Sequence, residues 1–433
     1  MKKPLKTITR RNFLKSAAIL SSVFVVPRRV LGGPGFIAPS DKINLGFIGC
    51  GKQSAGLQRR FGNLGGTQIV AASDPYAAKL EKFVAANNHF YAELTGQSRY
   101  DTTKSFVDYR ELLGRKDIDA VVIASPDHWH ASMSVHAAEA GKDIYCEKPL
   151  SLTVREGRAM VDATRKHKRV FQTGSMQRSA KEFTQAAQLV RSGAIGEVKK
   201  IIVSVGGPPK EWDLQSEPTP QGLNWDLWMG PNVTERPYHN ILAPQLEATF
   251  WAKWRDYREF GGGGMTDWGA HMFDIGQWGI GMDHSGPVKI VPPGPGKQSG
   301  LIYQYENGVE MIHQPEQGKN YCHFFGSEGE VYVQRGLLRT SPETLKDKVF
   351  ADSDYKIYVS GDHYQDFINA MKTRRPPICD VEVGHRTATV CNIGNIAYQL
   401  GRPLEWNPAK EKFKGDREAN KLLKRKMKKD WKV

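Results

Sequence analysis

Residues 43–56 read Ile-Asn-Leu-Gly-Phe-Ile-Gly-Cys-Gly-Lys-Gln-Ser-Ala-Gly, an apolar stretch that runs directly into a glycine turn. The pattern predicts a strand followed by a helix. Gly49 and Gly51 permit a tight turn and a close approach of the backbone to a pyrophosphate, which then sits at the helix N-terminus. Ser54 replaces the third glycine of this motif and is small enough to keep helix and strand close. The stretch therefore predicts a dinucleotide site at the start of a Rossmann domain.

Strand and helix patterns alternate through residues 42–173. The alternation predicts an α/β domain built on a doubly wound parallel sheet of the Rossmann type. The predicted strands are 43–48, 67–72, 118–124, 143–146 and 170–174, and the predicted helices are 53–61, 75–86, 109–114, 130–141 and 153–168.

Asp74 follows the second predicted strand and lies 23 residues after Gly51. A carboxylate at this place accepts hydrogen bonds from the ribose hydroxyls of adenosine and repels a 2′-phosphate. No arginine follows immediately, so the sequence favours NAD over NADP.

The pattern changes over residues 174–433, because strand patterns follow one another without helices between them. This succession of strand patterns predicts a C-terminal α+β domain with a mainly antiparallel sheet. Residues 206–246, rich in Pro and Trp, are predicted to form a long functional loop. The predicted strands are 198–205, 301–305, 310–313 and 330–334, and the predicted helices are 182–192, 363–371 and 386–400.

The net charge of +15 is concentrated at the two ends of the 433-residue chain. Residues 1–29 carry +8 and residues 421–433 carry +6, which leaves +1 for the body. A nearly neutral body has no broad basic face, so we expect no nucleic-acid partner. The basic C-terminus is expected to be a solvated helix end or tail. Five cysteines without close spacing argue against a zinc site or a disulfide framework.

Arg10-Arg11 precedes a modest apolar run at residues 17–26, and this arrangement resembles a twin-arginine export signal. We therefore expect a signal segment at residues 1–33, a linker at 34–41 and a periplasmic location. The run is short for a membrane span. No clear cleavage site is visible near 31–33, so an uncleaved membrane anchor stays open.

Five further blocks give the chain a resemblance to the Gfo/Idh/MocA oxidoreductase family, from about residue 42 to the C-terminus. The resemblance implies a second domain whose open antiparallel sheet covers the active site, and homodimers or homotetramers built on that sheet. The blocks are Ser125-Pro126-Asp127-His128-Trp129-His130, Ala140-Gly141-Lys142, Glu147-Lys148-Pro149, Asp267-Trp268-Gly269-Ala270-His271-Met272-Phe273-Asp274 and Gly401-Arg402-Pro403-Leu404-Glu405-Trp406.

Within this resemblance, Lys148 matches the family's catalytic lysine and Glu147 its carboxylate beside the nicotinamide. Asp267 and His271 match the residues that hold and deprotonate the reacting hydroxyl. The predicted cofactor contacts are Gly49, Cys50, Gly51, Lys52, Gln53, Asp74, Ser125, Pro126, His130, Glu147 and Lys148.

These residue types suit hydride transfer from a carbinol carbon. A neutral histidine such as His271, with an ordinary pKa of about 6.5, accepts the hydroxyl proton. Lys148 stabilises negative charge that develops on the same oxygen. Asp267, four residues before His271, is suited either to orient the imidazole or to bind a neighbouring sugar hydroxyl.

Seven of the ten tryptophans lie within residues 212–278, and indole faces stack on sugars, although most of the seven are expected to be core residues. The predicted substrate-binding residues are Arg178, Trp254, Asp267 and His271. The pair His128 and His130 lacks an identifiable third ligand, so no metal is expected.

The leading hypothesis is an NAD(P)-dependent oxidoreductase that transfers a hydride between nicotinamide and a hydroxyl or keto group of a sugar, polyol or glycoside, in either direction. One alternative is an NAD-dependent glycoside hydrolase, in which the sugar is oxidised transiently, the glycosidic bond is eliminated and the hydroxyl is restored. Retention of Glu147-Lys148-Pro149 favours net dehydrogenation. The other alternative is a non-catalytic, cofactor-bound module. Because the periplasm has no soluble NAD pool, the cofactor is expected to be tightly bound.

Overall fold

In a computed structural model, the protein is described over residues 41–433 apart from 295, 296, 298 and 352–354. The predicted signal segment at residues 1–33 and the predicted linker up to residue 40 lie outside the described residues. Within the part of the chain that is described, no helix combines the length and the apolar character needed to cross a membrane.

The first sheet is made of six strands: β1 (Ile43–Ile48), β2 (Thr67–Ser73), β3 (Lys104–Phe106), β4 (Ala120–Ile123), β5 (Asp143–Cys146) and β6 (Phe171–Thr173). All pairings are parallel, in the order β3-β2-β1-β4-β5-β6. The chain reverses its direction of winding between β1 and β4, where Leu45 pairs with Ala120. The predicted doubly wound sheet is confirmed, and its switch point is where such folds bind ligands.

Five helices join these strands: α1 (Lys52–Gly62), α2 (Ala77–Thr95), α3 (Tyr109–Leu113), α4 (Asp127–Glu139) and α5 (Val154–Lys166). Each corresponds to a helix expected from the sequence, with shifted ends. The helix α4 begins at Asp127, earlier than expected, because Pro126 adopts the extended conformation of an N-cap. The strand β3 was not expected, since it is a three-residue edge strand without a fully buried side chain.

Nine strands form the second sheet: β7 (Val198–Ser204), β8 (Lys289–Val291), β9 (Leu301–Gln304), β10 (Glu310–His313), β11 (Tyr321–Gly326), β12 (Glu330–Gln334), β13 (Leu337–Ser341), β14 (Leu404–Asn407) and β15 (Lys412–Phe413). Their order is β13-β12-β11-β7-β10-β9-β8-β14-β15. Among the described pairings of this sheet, β7 with β10 is parallel and the others are antiparallel. The expected mainly antiparallel sheet is confirmed.

Among the described residues, this part has seven more helices: α6 (Lys181–Arg191), α7 (Trp225–Met229), α8 (Gly264–Asp267), α9 (Gly269–Gly279), α10 (His363–Thr373), α11 (Val381–Leu400) and α12 (Arg417–Lys421). Residues of α6, α9 and α11 share one hydrophobic core with the inward faces of the strands. The opposite face carries half-buried residues at alternate positions, such as Tyr321, His323 and Phe325 in β11. The second sheet is therefore covered by helices on one side and open on the other.

The helix α11 belongs to both cores. Val381 and Ala388 pack with the first sheet, whereas Val390 and Ile393 pack with the second. The helix begins at Val381, earlier than the sequence pattern indicated, because the Asp380 side chain accepts a hydrogen bond from its first turn. One rigid element thus fixes the two halves of the molecule to each other.

The C-terminal segment, residues 421–433, is packed against the first domain, and the expectation of a solvated tail is wrong. Leu423 and Trp431 are buried among the lysines. The hydroxyl of Ser132 donates to the carbonyl of Trp431 at 2.6 Å. The Arg425 guanidinium donates to the Glu156 carboxylate at 2.7 Å. Charge dominates the composition of this segment, but its two large apolar side chains decide its position.

Candidate active site

The glycine turn between β1 and α1 is shaped by close backbone packing. Gly49 has a φ of +90°, and a Cβ at this position would lie 2.8 Å from backbone atoms of Ala124 and Ser125. The Ser54 hydroxyl donates to the carbonyl of Gly49, which explains how serine replaces the third glycine. At Gly51 a Cβ would meet nothing within 4 Å, so this Cα faces open space.

The N-terminus of α1 has the features of an anion site. No described side chain caps it, and its first turn holds no acidic residue. The free N–H groups and the positive end of the helix dipole therefore face the space beside Gly51. These residues fit the pyrophosphate of a dinucleotide.

Asp74, directly after β2, is hydrogen-bonded to the glycine turn. Its Oδ2 accepts a hydrogen bond from the Cys50 amide at 2.7 Å, and its Oδ1 accepts one from the Tyr76 amide at 2.8 Å. Burial raises the pKa of Asp74, and the positive charge of Lys79 opposes this rise. Each carboxylate oxygen keeps a lone pair for a further donor, so Asp74 remains suited to bind ribose hydroxyls.

Lys148 of the first domain and Asp267 of the second domain are hydrogen-bonded to each other at the cleft. The Lys148 Nζ donates to the carbonyl of Asp267 at 2.8 Å and to its Oδ1 at 2.7 Å. Arg255 lies 3.5 Å from the same Oδ1. Burial alone would raise the pKa of Asp267, but the charges of Lys148 and Arg255 outweigh it and hold this pKa below its ordinary value. Asp267 is therefore an ionised carboxylate that fixes the ammonium group of Lys148.

His271 lies buried in α9 and contacts a residue that the sequence did not single out. Its Nε2 is 3.0 Å from Nη2 of Arg335, and its Nδ1 has no hydrogen-bond partner among the described residues. Because a guanidinium only donates, Nε2 is the acceptor and the proton of the neutral ring sits on Nδ1. Burial, with the charges of Lys148 and Arg335, lowers the pKa of His271 well below its usual 6.5.

The expected orientation of the imidazole by Asp267 is not what the structure gives. The Asp267 carboxylate is occupied by Lys148 and Arg255, whereas the His271 ring is held by Arg335. Asp267 ends the short helix α8, and His271 lies in the separate helix α9. The two residues therefore do not have the i, i+4 relation of one continuous helix.

Glu147 lies at the inner end of the cleft, directly before Lys148. It is 6% exposed, and a Cβ at Gly174 would come within 2.9 Å of its carboxyl group. Burial raises the pKa of Glu147, and the neighbouring charge of Lys148 opposes the shift. Gly174 thus provides the space that this carboxylate occupies.

One cleft of about 1100 Å³ joins these features. It runs from the glycine turn to His271, and it contains nearly every residue that the sequence singled out. The predicted residues that line it are Gly49, Cys50, Gly51, Lys52, Gln53, Asp74, Ser125, Pro126, Glu147, Lys148, Trp254, Asp267 and His271.

Arg178 is not on this cleft, and its prediction as a substrate-binding residue is corrected. Its side chain is 1% exposed and is bound by the carboxylates of Asp274 and Asp283. A buried guanidinium with two carboxylate partners holds α9 in place rather than contacting a ligand. The sequence placed Arg178 near the last parallel strand correctly but gave no sign of its partners.

His130 also lies behind the cleft wall. Its Nδ1 is 2.8 Å from the Pro149 carbonyl, and its Nε2 is 3.0 Å from the Ser125 carbonyl. Burial lowers its pKa to about 4. The predicted direct cofactor contact is therefore corrected: His130 positions the loops that carry Ser125 and Lys148.

The neighbouring His128 is likewise occupied by the backbone. Its Nε2 donates to the Trp228 carbonyl at 3.0 Å. Within the described ranges, no group of three or more His, Cys, Asp or Glu side chains has the arrangement of a metal site.

Sequence reasoning missed three groups of residues at the cleft. Asp127 lines it, and burial raises its pKa well above the ordinary value. Arg335 comes from the turn between β12 and β13, far along the chain from every motif. Most of residues 242–256, named here the cover segment, line the same space as the glycine turn, and the sequence singled out only Trp254 among them. The Lys52 Nζ donates to the Phe250 carbonyl of this segment at 2.7 Å. Asp127 lies inside a quoted block, but no local pattern marks Arg335 or, apart from Trp254 and the end of the predicted loop at 206–246, the cover segment.

Two family models match this chain. Residues 43–175 match the NAD-binding Rossmann fold of an oxidoreductase family, and residues 182–433 match the C-terminal alpha/beta domain of an oxidoreductase family. The second match alone covers more than half of the chain. The cleft between β1, β4 and α8 therefore lies in a chain that belongs to an oxidoreductase family whose first domain is an NAD-binding Rossmann fold.

Curated relatives are similar over part of their length. A glycosyl hydrolase family 109 protein from Shewanella pealeana is 32% identical over 209 residues, which are 44% of this chain and 44% of that protein. A protein of the same name from Shewanella baltica is 31% identical over 214 residues, 45% of each chain. The chain thus matches less than half the length of these relatives.

Solved structures share the fold at low sequence identity. The aldose-aldose oxidoreductase from Caulobacter crescentus, complexed with glycerol, aligns with a TM-score of 0.57 at 18% identity and covers 84% of this chain and 99% of that one. The WlbA dehydrogenase from Bordetella pertussis, in complex with NADH and UDP-GlcNAcA, aligns with a TM-score of 0.57 at 16% identity and covers 84% and 99%. These likenesses establish the fold.

Proposed function

Because the chain belongs to the Gfo/Idh/MocA oxidoreductase family, we propose that it transfers a hydride between NAD and a hydroxyl or keto group of a sugar, polyol or glycoside. The observation that carries this proposal is the joint placement of Lys148, Asp267 and His271 in the cleft that begins at the glycine turn. A fixed ammonium group and a neutral imidazole are the two groups that a carbinol oxygen needs when it loses its proton.

When bound, the nicotinamide supplies the acceptor or donor of the hydride. The chain's own residues manage the proton and the charge. Asp267 keeps the Lys148 ammonium in place, and Lys148 donates to the reacting oxygen as negative charge grows there. The hydroxyl proton passes to Nε2 of His271, which then carries protons on both ring nitrogens. In the opposite direction the same imidazolium returns the proton to the oxygen of a ketone.

We further propose that the cofactor is NAD and that it is tightly bound. The Asp74 carboxylate, fixed by two backbone amides, favours ribose hydroxyls over a 2′-phosphate. The cover segment lines the cleft, and its hydrogen bond from Lys52 connects it to the helix whose N-terminus fits the pyrophosphate. Acid extraction of purified protein would release about one NAD per chain, and a cofactor-free preparation would contradict tight binding.

A second candidate function is glycoside hydrolysis through transient oxidation. The observation that favours it is the similarity to proteins named glycosyl hydrolase family 109. Retention of Glu147-Lys148-Pro149 supports net dehydrogenation instead. The same cleft residues serve either outcome, because both begin with removal of a hydroxyl proton.

The deciding experiment follows absorbance at 340 nm with purified protein, NAD and a panel of free sugars, polyols and nitrophenyl α- and β-glycosides, with products identified by mass. Accumulating NADH with a keto-sugar supports the dehydrogenase. Released nitrophenol without net NADH supports the hydrolase. Wild-type protein that is inactive on the whole panel would contradict both and favour the non-catalytic module. The variant Lys148→Met reports the background rate.

Location and assembly are proposals as well. Arg10-Arg11 and the following apolar run support export to the periplasm by the twin-arginine route, with the membrane contacted only through a retained signal segment. Retention of the protein in the cytoplasm after Arg10→Lys and Arg11→Lys would support this, and unchanged export would contradict it.

The open face of the second sheet supports a homodimer or homotetramer, which sedimentation velocity tests.

A further inference from the structure

Arg335 is a cation in the active cleft that no motif accounts for. It lies in the turn after β12, and its Nε donates to Oε1 of Gln177 at 3.1 Å. Its Nη2 donates to Nε2 of His271 at 3.0 Å, and its guanidinium lies 4.5 Å from the ring centre of Trp268. The direct partners of this guanidinium among the described residues are therefore neutral.

The other cations at this end of the cleft have anionic partners. Lys148 and Arg255 share the carboxylate of Asp267. Among the described residues, no carboxylate lies within 4 Å of Arg335; Asp267, Glu147 and Glu182 act on it only from farther away. Arg335 is exposed at the cleft, and an exposed guanidinium without a counter-ion is able to receive an anion from a ligand.

The hydrogen bond from Arg335 also has a consequence for catalysis. The lone pair on Nε2 of His271 is the one that must accept the substrate proton, and here it is occupied by Nη2. A productive complex therefore requires Arg335 to turn away from the imidazole. A carboxylate attracts a guanidinium more strongly than a neutral imidazole does, because two parallel hydrogen bonds between opposite charges replace one hydrogen bond to a neutral acceptor.

We propose that Arg335 binds a carboxylate carried by the substrate, so that the sugar is a uronic acid or a uronide, and that this contact frees His271 to act as the base. The inference rests on the proposed function and names its substrate class. Recognition makes and breaks hydrogen bonds alone; the proton and hydride then move as described above. A neutral sugar leaves Arg335 on His271 and is a poor substrate for that reason.

Binding tests this without requiring turnover. Calorimetry would compare methyl α- and β-glycosides of gluco-, galacto- and mannuronic acid with the matching neutral hexosides, using wild-type protein loaded with NAD. We expect at least one uronide to bind about 30-fold more tightly than its neutral partner. Uronides that bind no more tightly than neutral glycosides, including the case in which neither binds, would overturn the proposal.

Substitutions test whether Arg335 is the residue responsible for the preference for uronides. Arg335→Gln should abolish the uronide preference, whereas Arg335→Lys should keep part of it. Arg339→Gln, on the exposed side of β13, is the matched control and should keep the whole preference. Thermal unfolding of each variant shows that it is folded. A folded Arg335→Gln protein that still prefers uronides would overturn the assignment.

The pH profile of kcat/KM tests whether Arg335 acts on His271, because a purely structural role of Arg335 would leave this profile unchanged. The charged or titratable groups that act on His271 are Lys148, Arg335 and His363. Removing the Arg335 charge raises the pKa of His271, so the acid limb of kcat/KM should move to higher pH in Arg335→Gln; an unmoved limb would contradict the coupling. If uronides bind selectively but no NADH or aglycone appears, the proposed function fails while the carboxylate site stands.

Discussion

Lys148 and His271 have different surroundings, and these surroundings define their roles. The Lys148 ammonium is fixed by two oxygen atoms of Asp267, so it presents its third proton to the cleft. The His271 ring is kept neutral by burial and by two nearby cations. A base with a lowered pKa stays deprotonated through the neutral range, so we expect oxidation to persist below pH 6.5. The sequence identified both residues but not the partner that controls each.

Replacing Lys148 with Met should reduce kcat about 100- to 1000-fold, because the developing oxyanion loses its charged donor. The loss should appear mainly in kcat, since the cofactor and sugar retain their other contacts. Stopped-flow absorbance at 340 nm would measure it on a substrate found in the panel. Lys166→Met, on the exposed side of α5, is the matched control and should leave turnover unchanged. A loss below tenfold in Lys148→Met would contradict the role.

At the scale of single elements, the glycine turn shows two separate uses of glycine. Gly49 is needed by the fold, because its φ is +90° and backbone atoms lie against the position of a Cβ. Gly51 faces open space and has an ordinary φ of −79°. Its lack of a side chain therefore serves a ligand rather than the chain. A sequence motif marks both positions alike, and only the backbone geometry separates their roles.

This difference yields a paired prediction. Gly49→Ala should destabilise the protein by about 2–4 kcal/mol, because left-handed strain and a backbone clash add together. Gly51→Ala should change the melting temperature little but weaken NAD binding at least tenfold, since its methyl group occupies the approach of the pyrophosphate. Urea unfolding and NAD titration would measure the two effects. Equal stability losses in both variants would contradict the distinction.

The helices α5 and α11 are joined by an ion-pair network centred on Arg158. Its guanidinium donates to both oxygens of Glu382 at 2.9 Å and to the carboxylate of Glu411. Burial would raise the pKa of Glu382, but Arg158 and Arg386 outweigh it and lower this pKa to about 2. Since the value in an unfolded chain is about 4.3, folding is favoured by this carboxylate above that pH.

Glu382→Gln should therefore lower the free energy of unfolding by about 1–2 kcal/mol at pH 7, a value reduced for solvent screening of a partly exposed pair. The difference from wild type should shrink as pH falls from about 4.5 towards 2, because the native carboxyl group becomes protonated there. Guanidinium unfolding across this range measures it. Glu418→Gln, in an exposed pair with Arg402, should have almost no effect. A pH-independent loss would argue for packing instead.

At the scale of the whole molecule, the C-terminal segment returns to the first domain after the chain has completed the second. The Trp431 ring lies 4.8 Å from Trp129 and 6.0 Å from Tyr109, and the Arg110 guanidinium covers it at 4.3 Å. Trp129 belongs to α4, whose N-terminal end lines the cleft. The last residues of the chain thus support a wall of the active site from behind.

Trp431→Ala should lower the free energy of unfolding by about 2–3 kcal/mol, because a large aromatic side chain leaves a cavity against Trp129. Urea unfolding followed by circular dichroism would measure the change. Lys432→Ala, with an exposed side chain, is the control and should stay within about 0.5 kcal/mol of wild type. An unaffected Trp431→Ala would mean that the segment is only loosely attached.

Local patterns in the sequence by themselves determined the parallel sheet, the glycine turn and the blocks that hold Lys148, Asp267 and His271. Strand periodicity, turn glycines and motif spacing act over a few residues, so they can be read directly from the chain. The strands β3, β8, β11, β13, β14 and β15 were not predicted, and the shortest of them have too few buried positions to form a pattern.

Only the tertiary structure decided which side chains meet. It placed Arg178 in a buried ion pair and His130 behind the wall, and it brought Arg335 onto His271 from a turn 64 residues away. Contacts of this kind depend on how separate elements pack, and the nine-stranded sheet sets that packing through pairings between distant segments. The electrostatic state of each catalytic group follows from these distant neighbours, so no local pattern could predict it.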